Sequence, residues 1–139
     1  MYSVKTSAAF DSAHFLKGYG GKCANLHGHT WKIEVTASDE LITCGEKRGM
    51  VLDFSDLKKA VRGIASRFDH TLIYESGSLL PETISALQNE GFSLTEIPFR
   101  PTAESFAKYF FDELSKTLPV KSVAVYETPE NCAVYEEDQ

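Results

Sequence analysis

Two segments near the N-terminus alternate between hydrophobic and polar residues. In residues 2–14 the even-numbered positions are mostly apolar and include Tyr2, Val4, Ala8, Phe10 and His14. In residues 29–37 the apolar residues occupy odd-numbered positions: Trp31, Ile33, Val35 and Ala37. Because successive side chains of a β-strand point to opposite faces, each segment predicts a strand with one buried face. A glycine-rich stretch, residues 18–25, predicts the loop between them.

Two later segments have the spacing of amphipathic helices instead. From Ser55, the expected N-cap, apolar residues recur at positions 57, 60, 61, 64, 65 and 68. After Pro101, with Thr102 as the expected cap, they recur at positions 103, 106, 107, 110, 111 and 114. Intervals of three and four place side chains on one side of a helix, so each segment predicts a helix with one buried face.

The remaining segments complete an α+β pattern. Residues 121–127 and 132–136 predict two short strands. Between the two helices the pattern is weaker, with Leu79–Leu87 favouring a short helix and Phe92–Phe99 an extended segment. The clear elements follow the order β-β-α-α-β-β, which predicts an antiparallel sheet covered on one face by helices. A chain of 139 residues has room for one such domain, residues 1–139.

Charge and composition argue against several kinds of partner and cellular environment. The chain carries 14 basic and 20 acidic side chains, for a net charge of −6. Without a Lys/Arg cluster it is poorly suited to a phosphate backbone, so we expect no nucleic-acid partner. No stretch approaches the roughly 20 apolar residues that cross a bilayer, so we expect no membrane association, and no signal-peptide pattern is visible. The three cysteines form no CxxC pair, which favours a reducing cytoplasm over a disulfide framework.

Three of the four histidines are candidates for metal ligation. His27 and His29 place two imidazoles on one face of the second strand, and His14 ends the first strand on its apolar parity. If these strands are antiparallel neighbours, the three rings converge near their connection. Three nitrogen ligands with an open fourth position are typical of a catalytic zinc site. The alternative is that each is an ordinary core or surface histidine, which is weakest for His-x-His because unpaired polar rings are costly on an apolar face.

Cys23 and the pair Asp69-His70 could carry proton transfer or nucleophilic chemistry. Cys23 lies four residues before His27, and a thiol near a divalent cation ionises more readily. Asp69-His70 follow the first helix, where they are compatible with a Cys–His–Asp constellation or with a polar helix end. The Cys23 position also fits a loop cysteine without a role.

Two glutamates are candidates for ligand binding. Glu127 lies on the apolar parity of its strand, where a ligand with two parallel N–H donors would match the carboxylate bidentately. Glu104, beside Thr102, lies in the first turn of the second helix, where complementation of the helix dipole is the stronger interpretation.

Taken in order, these residues resemble the 6-pyruvoyltetrahydropterin synthase superfamily. The matching segments run through nearly the whole chain: Phe10–His14, Cys23–His29, Gly49–Phe54 followed by Leu57-Lys58, Asp69-His70, Pro101–Glu104, and Glu127-Thr128. No single segment is decisive, but the ordered set is highly specific. The stretch from His70 to Pro101 departs from the family pattern, because it is longer than in compact members and carries Ile73-Tyr74 where Leu-Asn is usual.

The resemblance implies a fold and an assembly. The fold is the tunnelling fold, a four-stranded antiparallel sheet with two helices on one face. The assembly is a homo-oligomer, usually a hexamer of two trimers, with active sites between subunits. The resemblance also implies site roles, with Zn²⁺ on His14, His27 and His29. The catalytic base is Cys23, assisted by Asp69 and His70, and the pterin is bound by Glu127 with Thr102 and Glu104.

The substrate implied by the resemblance is 7,8-dihydroneopterin triphosphate. Three residues separate Cys23 from His27, as in the bacterial branch that forms 6-carboxy-5,6,7,8-tetrahydropterin and releases acetaldehyde and triphosphate. That product feeds queuosine and other deazapurines. An alternative enzyme is the pyruvoyl-forming synthase, which eliminates triphosphate from the same substrate. A non-catalytic alternative is a zinc-stabilised pterin-binding module.

Overall fold

Two long strands form the centre of the sheet in a computed structural model that describes residues 1–137. Strand β1 spans Tyr2–His14 and strand β2 spans His27–Asp39. They pair antiparallel over their whole length, from Tyr2 opposite Asp39 to His14 opposite His27. In this register the apolar side chains of both strands point to the same face of the sheet. This confirms both predicted strands and their buried faces.

The two strands predicted at the C-terminus extend this sheet. Strand β5, Val120–Thr128, pairs antiparallel with β2, and strand β6, Asn131–Glu136, pairs antiparallel with β5. Four neighbouring strands are therefore antiparallel, as expected from the sequence.

The sheet is nevertheless six-stranded and mixed, so the prediction of four antiparallel strands was wrong. Strands β3, Thr71–Glu75, and β4, Leu94–Ile97, continue it beyond β1 in parallel orientation. The strand order is β4-β3-β1-β2-β5-β6. Helix α2, Pro81–Asn89, connects β3 to β4, because parallel neighbours require a crossover connection.

The additional strand β3 explains why the segment after position 70 is difficult to interpret from sequence. Its successive residues Ile73 and Tyr74 are both buried, so the strand shows no alternation. The short helix and the extended segment expected in this region are present as α2 and β4. The chain order is therefore β-β-α-β-α-β-α-β-β, with three α-helices, rather than β-β-α-α-β-β.

The two predicted amphipathic helices cover the apolar face of the sheet. Helix α1, Phe54–Ser66, packs against β1, and helix α3, Ala103–Leu114, packs against β5 and β6. The largest side chains of the core between them are fully buried: Phe10, Trp31, Ile33, Leu57, Phe106 and Phe110. Within residues 1–137, no helix has the length and apolar character needed to cross a membrane.

The N-cap residue predicted from the sequence is correct for α3 and wrong for α1. Thr102 caps α3, where its side chain accepts a hydrogen bond from the Ser105 backbone N–H. The cap of α1 is Asp53 rather than Ser55, and its carboxylate accepts from the Ser55 N–H at 2.7 Å. The helix begins at Phe54, so the predicted cap lies inside its first turn.

A left-handed residue links α1 to β3. His70 has φ +58°, and it is the only residue other than glycine with positive φ in the described part of the chain. Its backbone N–H donates to the Asp11 carbonyl at 2.6 Å, which holds the turn against β1. A side chain in this conformation is strained, and such strain concentrates at functional sites.

The cap assignment can be tested by mutation. Asp53→Ala is expected to lower the free energy of unfolding by about 1 kcal/mol, because it removes the acceptor of a free helix N–H. Ser55→Ala is the matched control, and its effect is expected to stay within about 0.5 kcal/mol. Urea unfolding of the two variants at equal protein concentration measures both values. A larger loss for Ser55→Ala would contradict the assignment of Asp53.

The strain at His70 can be isolated by comparing two variants that both lack the imidazole. His70→Ala is expected to be less stable than His70→Gly by about 1 kcal/mol, because only glycine adopts this conformation without a steric cost. The order should reverse at exposed Lys59 in α1, where glycine costs about 1 kcal/mol relative to alanine. Equal stability of the two His70 variants would show that the turn is not strained.

Candidate functional site

Three histidines converge at the end of the β1–β2 pair, on the face that the helices cover. His14 lies opposite His27, and His29 lies opposite Ser12. One ring nitrogen from each histidine lies within 4.8 Å of the others. The Nε2 atoms of His14 and His27 are 3.1 Å apart. The predicted convergence is therefore present, while the role of these residues as metal ligands stays a prediction.

Backbone carbonyls determine which nitrogen of two rings is free. His14 Nδ1 lies 2.8 Å from the Pro101 carbonyl oxygen, and His27 Nδ1 lies 2.7 Å from that of Asn25. A carbonyl oxygen can only accept a hydrogen bond, so each Nδ1 carries a proton and, in the neutral ring, Nε2 carries a lone pair. Two lone pairs at 3.1 Å repel each other unless a cation lies between them.

Burial favours the neutral form of two of these rings, His14 and His29. It lowers the pKa of the His14 imidazole to about 4, and the neighbouring histidines lower it further, against the opposing effect of the Pro101 carbonyl. Burial also lowers the pKa of His29, although Glu127 opposes that shift. A neutral imidazole is the protonation state that metal ligation requires.

The donor set fits a divalent metal ion. His29 Nε2 is buried and has no hydrogen-bond partner among the described residues, which is costly for a polar atom. Nitrogen ligands about 2.05 Å from a tetrahedral metal lie about 3.3 Å from each other. The observed 3.1 Å between His14 and His27 is close to this spacing.

Trp31 forms the floor of the histidine cluster. Its ring centroid lies 4.8 Å from that of His14 and 5.5 Å from that of His29, both nearly perpendicular. The indole is fully buried, and its Nε1 donates to the Ser12 carbonyl at 3.3 Å. This packing restricts the imidazole rotamers, which pre-organises the site.

Glu127 lies beside the histidine cluster at the end of β5. Its Oε1 atom is 3.3 Å from His14 Nε2 and 3.7 Å from His29 Nε2. The side chain is 31% exposed, so the carboxylate contacts both the buried rings and the solvent. Sequence reasoning singled out this residue as a ligand anchor, and that role stays a prediction.

Asp69 and His70 form a hydrogen-bonded dyad. His70 Nδ1 lies 3.0 Å from Asp69 Oδ2, and the Asp11 backbone N–H donates to Asp69 Oδ1 at 2.9 Å. That N–H bond, together with His70, lowers the pKa of the Asp69 carboxyl, so Asp69 is ionised at neutral pH. Sequence reasoning missed Asp11, because it acts through backbone atoms that no side-chain pattern reveals.

The dyad lies on the opposite side of the sheet from the histidine cluster. His70 lines a cavity of about 810 Å³ together with Asp11, Ala13, Gly28 and Thr30, whose positions alternate with those of the three histidines. Ser12 and His29 also border this cavity. Within one chain, the β1–β2 pair therefore lies between most of the cavity and the histidine cluster.

The remaining predicted site residues have simpler surroundings. Cys23 is a half-buried free thiol in a 3-10 helix, Lys22–Ala24. Within residues 1–137, two groups of side chains are close enough together to hold a metal ion, the histidine cluster and Asp11 with the dyad, and Cys23 belongs to neither. The Thr102 hydroxyl bonds to Ser105 as the α3 cap, directly after the carbonyl that holds His14. Glu104 is exposed in the first turn of α3, consistent with dipole complementation. The catalytic role of Cys23 and the substrate-binding roles of Thr102 and Glu104 stay predictions.

Two bacterial proteins are similar to this chain over most of their length. The 6-carboxy-5,6,7,8-tetrahydropterin synthase of Haemophilus influenzae is 40% identical over 99% of this chain and 100% of its own. The protein of the same name from Aquifex aeolicus is 33% identical over 84% of this chain and 77% of its own.

Solved structures share the fold at lower sequence identity. An uncharacterized protein from Wolinella succinogenes has a TM-score of 0.82 at 22% identity, covering 99% of this chain and 98% of its own. The 6-pyruvoyl tetrahydropterin synthase of Caenorhabditis elegans has a TM-score of 0.70 at 23% identity, covering 99% and 96%. The family model for 6-pyruvoyl tetrahydropterin synthase matches residues 3–138. The chain therefore belongs to the 6-pyruvoyl tetrahydropterin synthase family of enzymes.

Proposed function

We propose that this protein is a zinc-dependent lyase acting on 7,8-dihydroneopterin triphosphate. With one water consumed, the products are 6-carboxy-5,6,7,8-tetrahydropterin, acetaldehyde and triphosphate, on a cytoplasmic route to queuosine or related deazapurines. The observation that carries this proposal is the convergence of three histidine rings beside Glu127. Relatives at 40% and 33% identity are named for the carboxy-forming activity, which favours it over the pyruvoyl-forming alternative.

The metal would be held by His14, His27 and His29. The carbonyls of Pro101 and Asn25 orient two of these rings and support their basicity as ligands. Bound zinc supplies Lewis acidity toward the side-chain hydroxyls of the substrate, which makes the adjacent C–H bonds more acidic.

Cys23 and the dyad would move the protons. Cys23, four residues before His27, acts as the base that removes a proton from the substrate side chain. Asp69 is bonded to His70 through Nδ1, which leaves the Nε2 atom of that ring free to exchange a proton. Because Asp69 is held ionised, it also stabilises the imidazolium that forms.

Glu127 would anchor the pterin ring. The ring edge presents parallel N–H donors, and a carboxylate accepts such a pair bidentately. Thr102 and Glu104 would assist from the start of α3, close to the Pro101 carbonyl that supports His14.

A homo-oligomer, in this family a hexamer of two trimers, would bring the two halves of the site together. The dyad and the histidine cluster lie on opposite sides of one chain's sheet, so a second copy can supply the dyad. The sheet also has open edges within residues 1–137. Strand β6 pairs only with β5, and the ladder between β1 and β3 is limited to Ser12 and Ala13 on β1. Open edges favour pairing between copies.

Product analysis tests the reaction. Metal-loaded protein incubated with 7,8-dihydroneopterin triphosphate is expected to release acetaldehyde and form the 6-carboxy product. Cys23→Ala should keep its metal and lose about 100-fold or more in rate, because it removes the base. His27→Ala should lose both metal and activity, and exposed Cys44→Ala is the matched control with unchanged rate.

Three outcomes would contradict this assignment. A pyruvoyl product without acetaldehyde would favour the alternative synthase. Full activity in zinc-free protein would remove the metal from the mechanism. Pterin binding without any turnover would favour the non-catalytic module.

Mixing two inactive variants tests whether the active site is shared between two copies of the chain. Cys23→Ala and His70→Ala are each expected to be nearly inactive, because each lacks one half of the proton-transfer machinery. When copies are co-assembled at equal ratio, about one quarter of the sites should combine an intact Cys23 with an intact His70 from different copies. Acetaldehyde release should recover in that proportion.

The control mixes Cys23→Ala with the double variant Cys23→Ala/His70→Ala, which cannot form an intact site. Two affinity tags verify that mixed oligomers are present. Verified mixing without recovery would place the complete site within one chain.

A further inference from the structure

We infer that Thr30 is a positioning residue of the Asp69-His70 dyad. Its hydroxyl keeps the neighbouring Asp11 carboxylate from replacing Asp69 as the hydrogen-bond partner of His70. The geometric half of this inference stands on hydrogen bonds among the described residues. Its consequence for catalysis rests on the proposed function, in which the dyad moves protons.

The imidazole of His70 is held by hydrogen bonding rather than by packing. Its side chain is 78% exposed, and that of Asp69 is 42% exposed. The contact that orients the ring is the 3.0 Å separation between His70 Nδ1 and Asp69 Oδ2. An exposed side chain changes rotamer rapidly unless such contacts restrict it. The orientation of the ring therefore depends on which carboxylate accepts its proton.

A second carboxylate lies within reach of the same ring. One carboxylate oxygen of Asp11, one of Asp69 and one ring nitrogen of His70 lie within 4.8 Å of one another. An approach of at most about 2 Å would bring the Asp11 oxygen to hydrogen-bond distance from the ring. A neutral imidazole has a single N–H to donate, so the two carboxylates are alternative partners.

The Thr30 hydroxyl determines where the Asp11 carboxylate points. Thr30 lies opposite Asp11 in the β1–β2 ladder, and its hydroxyl donates to Asp11 Oδ1 at 2.5 Å. That separation is typical of a strong bond from a hydroxyl to a charged oxygen. The backbone ladder already pairs β1 with β2 over their whole length, so the strands do not need this side-chain bond. Its specific effect is to hold the Asp11 carboxylate toward β2.

The backbone of Asp11 supports the dyad independently of its side chain. The Asp11 N–H donates to Asp69 Oδ1 at 2.9 Å, and the Asp11 carbonyl accepts from the His70 N–H at 2.6 Å. Both bonds remain when the side chain at position 11 is replaced. The Asp11 carboxylate can therefore be removed by mutation while the contacts that hold Asp69 and the turn are kept.

The ring-nitrogen chemical shifts of His70 test this inference without any turnover. Zinc-loaded protein with isotopically labelled histidine, in mildly alkaline buffer, should give four sets of ring signals, and His70→Gly identifies that of His70. In the wild type, the His70 proton is expected on Nδ1, bonded to Asp69. Thr30→Val removes the hydroxyl but keeps a β-branched side chain suited to a strand. The released Asp11 carboxylate should then compete for the ring and displace both nitrogen signals.

Three further variants separate this effect from a loss of folding. Thr30→Ser keeps a hydroxyl and should restore the wild-type signals of His70. Thr30→Val/Asp11→Ala lacks the competing carboxylate and should restore them as well. Thr95→Val replaces a half-buried threonine of β4 and is the matched control, with unchanged signals.

If the dyad moves protons, the same variants should change the rate. Thr30→Val is expected to lower kcat about 10-fold with little change in KM, because the imidazole is misoriented while substrate contacts are kept. Thr30→Val/Asp11→Ala should recover most of this loss. A raised KM without recovery in the double variant would contradict the inference, because it would indicate direct contact between the Thr30 hydroxyl and the substrate.

Unchanged His70 signals in Thr30→Val would overturn the inference. Displaced signals that persist in Thr30→Val/Asp11→Ala would also overturn it, because the displacement would then not come from the Asp11 carboxylate. The chemical shifts do not depend on acetaldehyde release. A failure of the proposed lyase reaction therefore remains distinguishable from a failure of this inference.

Discussion

The antiparallel register that places His14 opposite His27 is the constraint on which the site depends. In this register Phe10 lies opposite Trp31, and the imidazoles continue the same buried face. A shift by one residue would turn one strand's apolar set toward the solvent and separate the histidines at the same time. The hydrophobic core and the histidine cluster therefore support the same pairing.

Within that register, the cluster gathers acceptors that are unfavourable without a cation. Backbone carbonyls hold the ring protons of His14 and His27 on the far side, and burial keeps His14 neutral. The arrangement has a desolvation cost, since the buried His29 Nε2 has no hydrogen-bond partner among the described residues. That cost is the physical argument for a metal, and the Glu127 carboxylate lies beside two of the rings, His14 and His29.

The two faces of the sheet separate the histidine cluster from the Asp69-His70 dyad within one chain. The histidines share the helix-covered face, whereas His70 lies with Asp11 at the cavity on the other side. The strained backbone of His70 and the hydrogen bonds to Asp11 hold the dyad toward that cavity. The oligomer proposed above would join both groups in one site.

Alternation and helical spacing in the sequence were enough to predict β1, β2, β5, β6 and the two helices that cover them. They also predicted that the histidines would meet, because side-chain period and strand adjacency determine which residues share a face. Strand β3 was not predictable in this way, since burial on both faces removes alternation from a five-residue strand.

The tertiary structure decided the features that depend on backbone atoms and on distant contacts. The carbonyls of Pro101 and Asn25 select the ring nitrogens, and the Asp11 backbone holds the dyad. Every residue has these backbone groups, so no sequence pattern marks the ones that are used. The sequence pattern likewise identified Glu127 as a candidate site residue. Only the pairing of β5 with β2, however, placed its carboxylate beside His14 and His29.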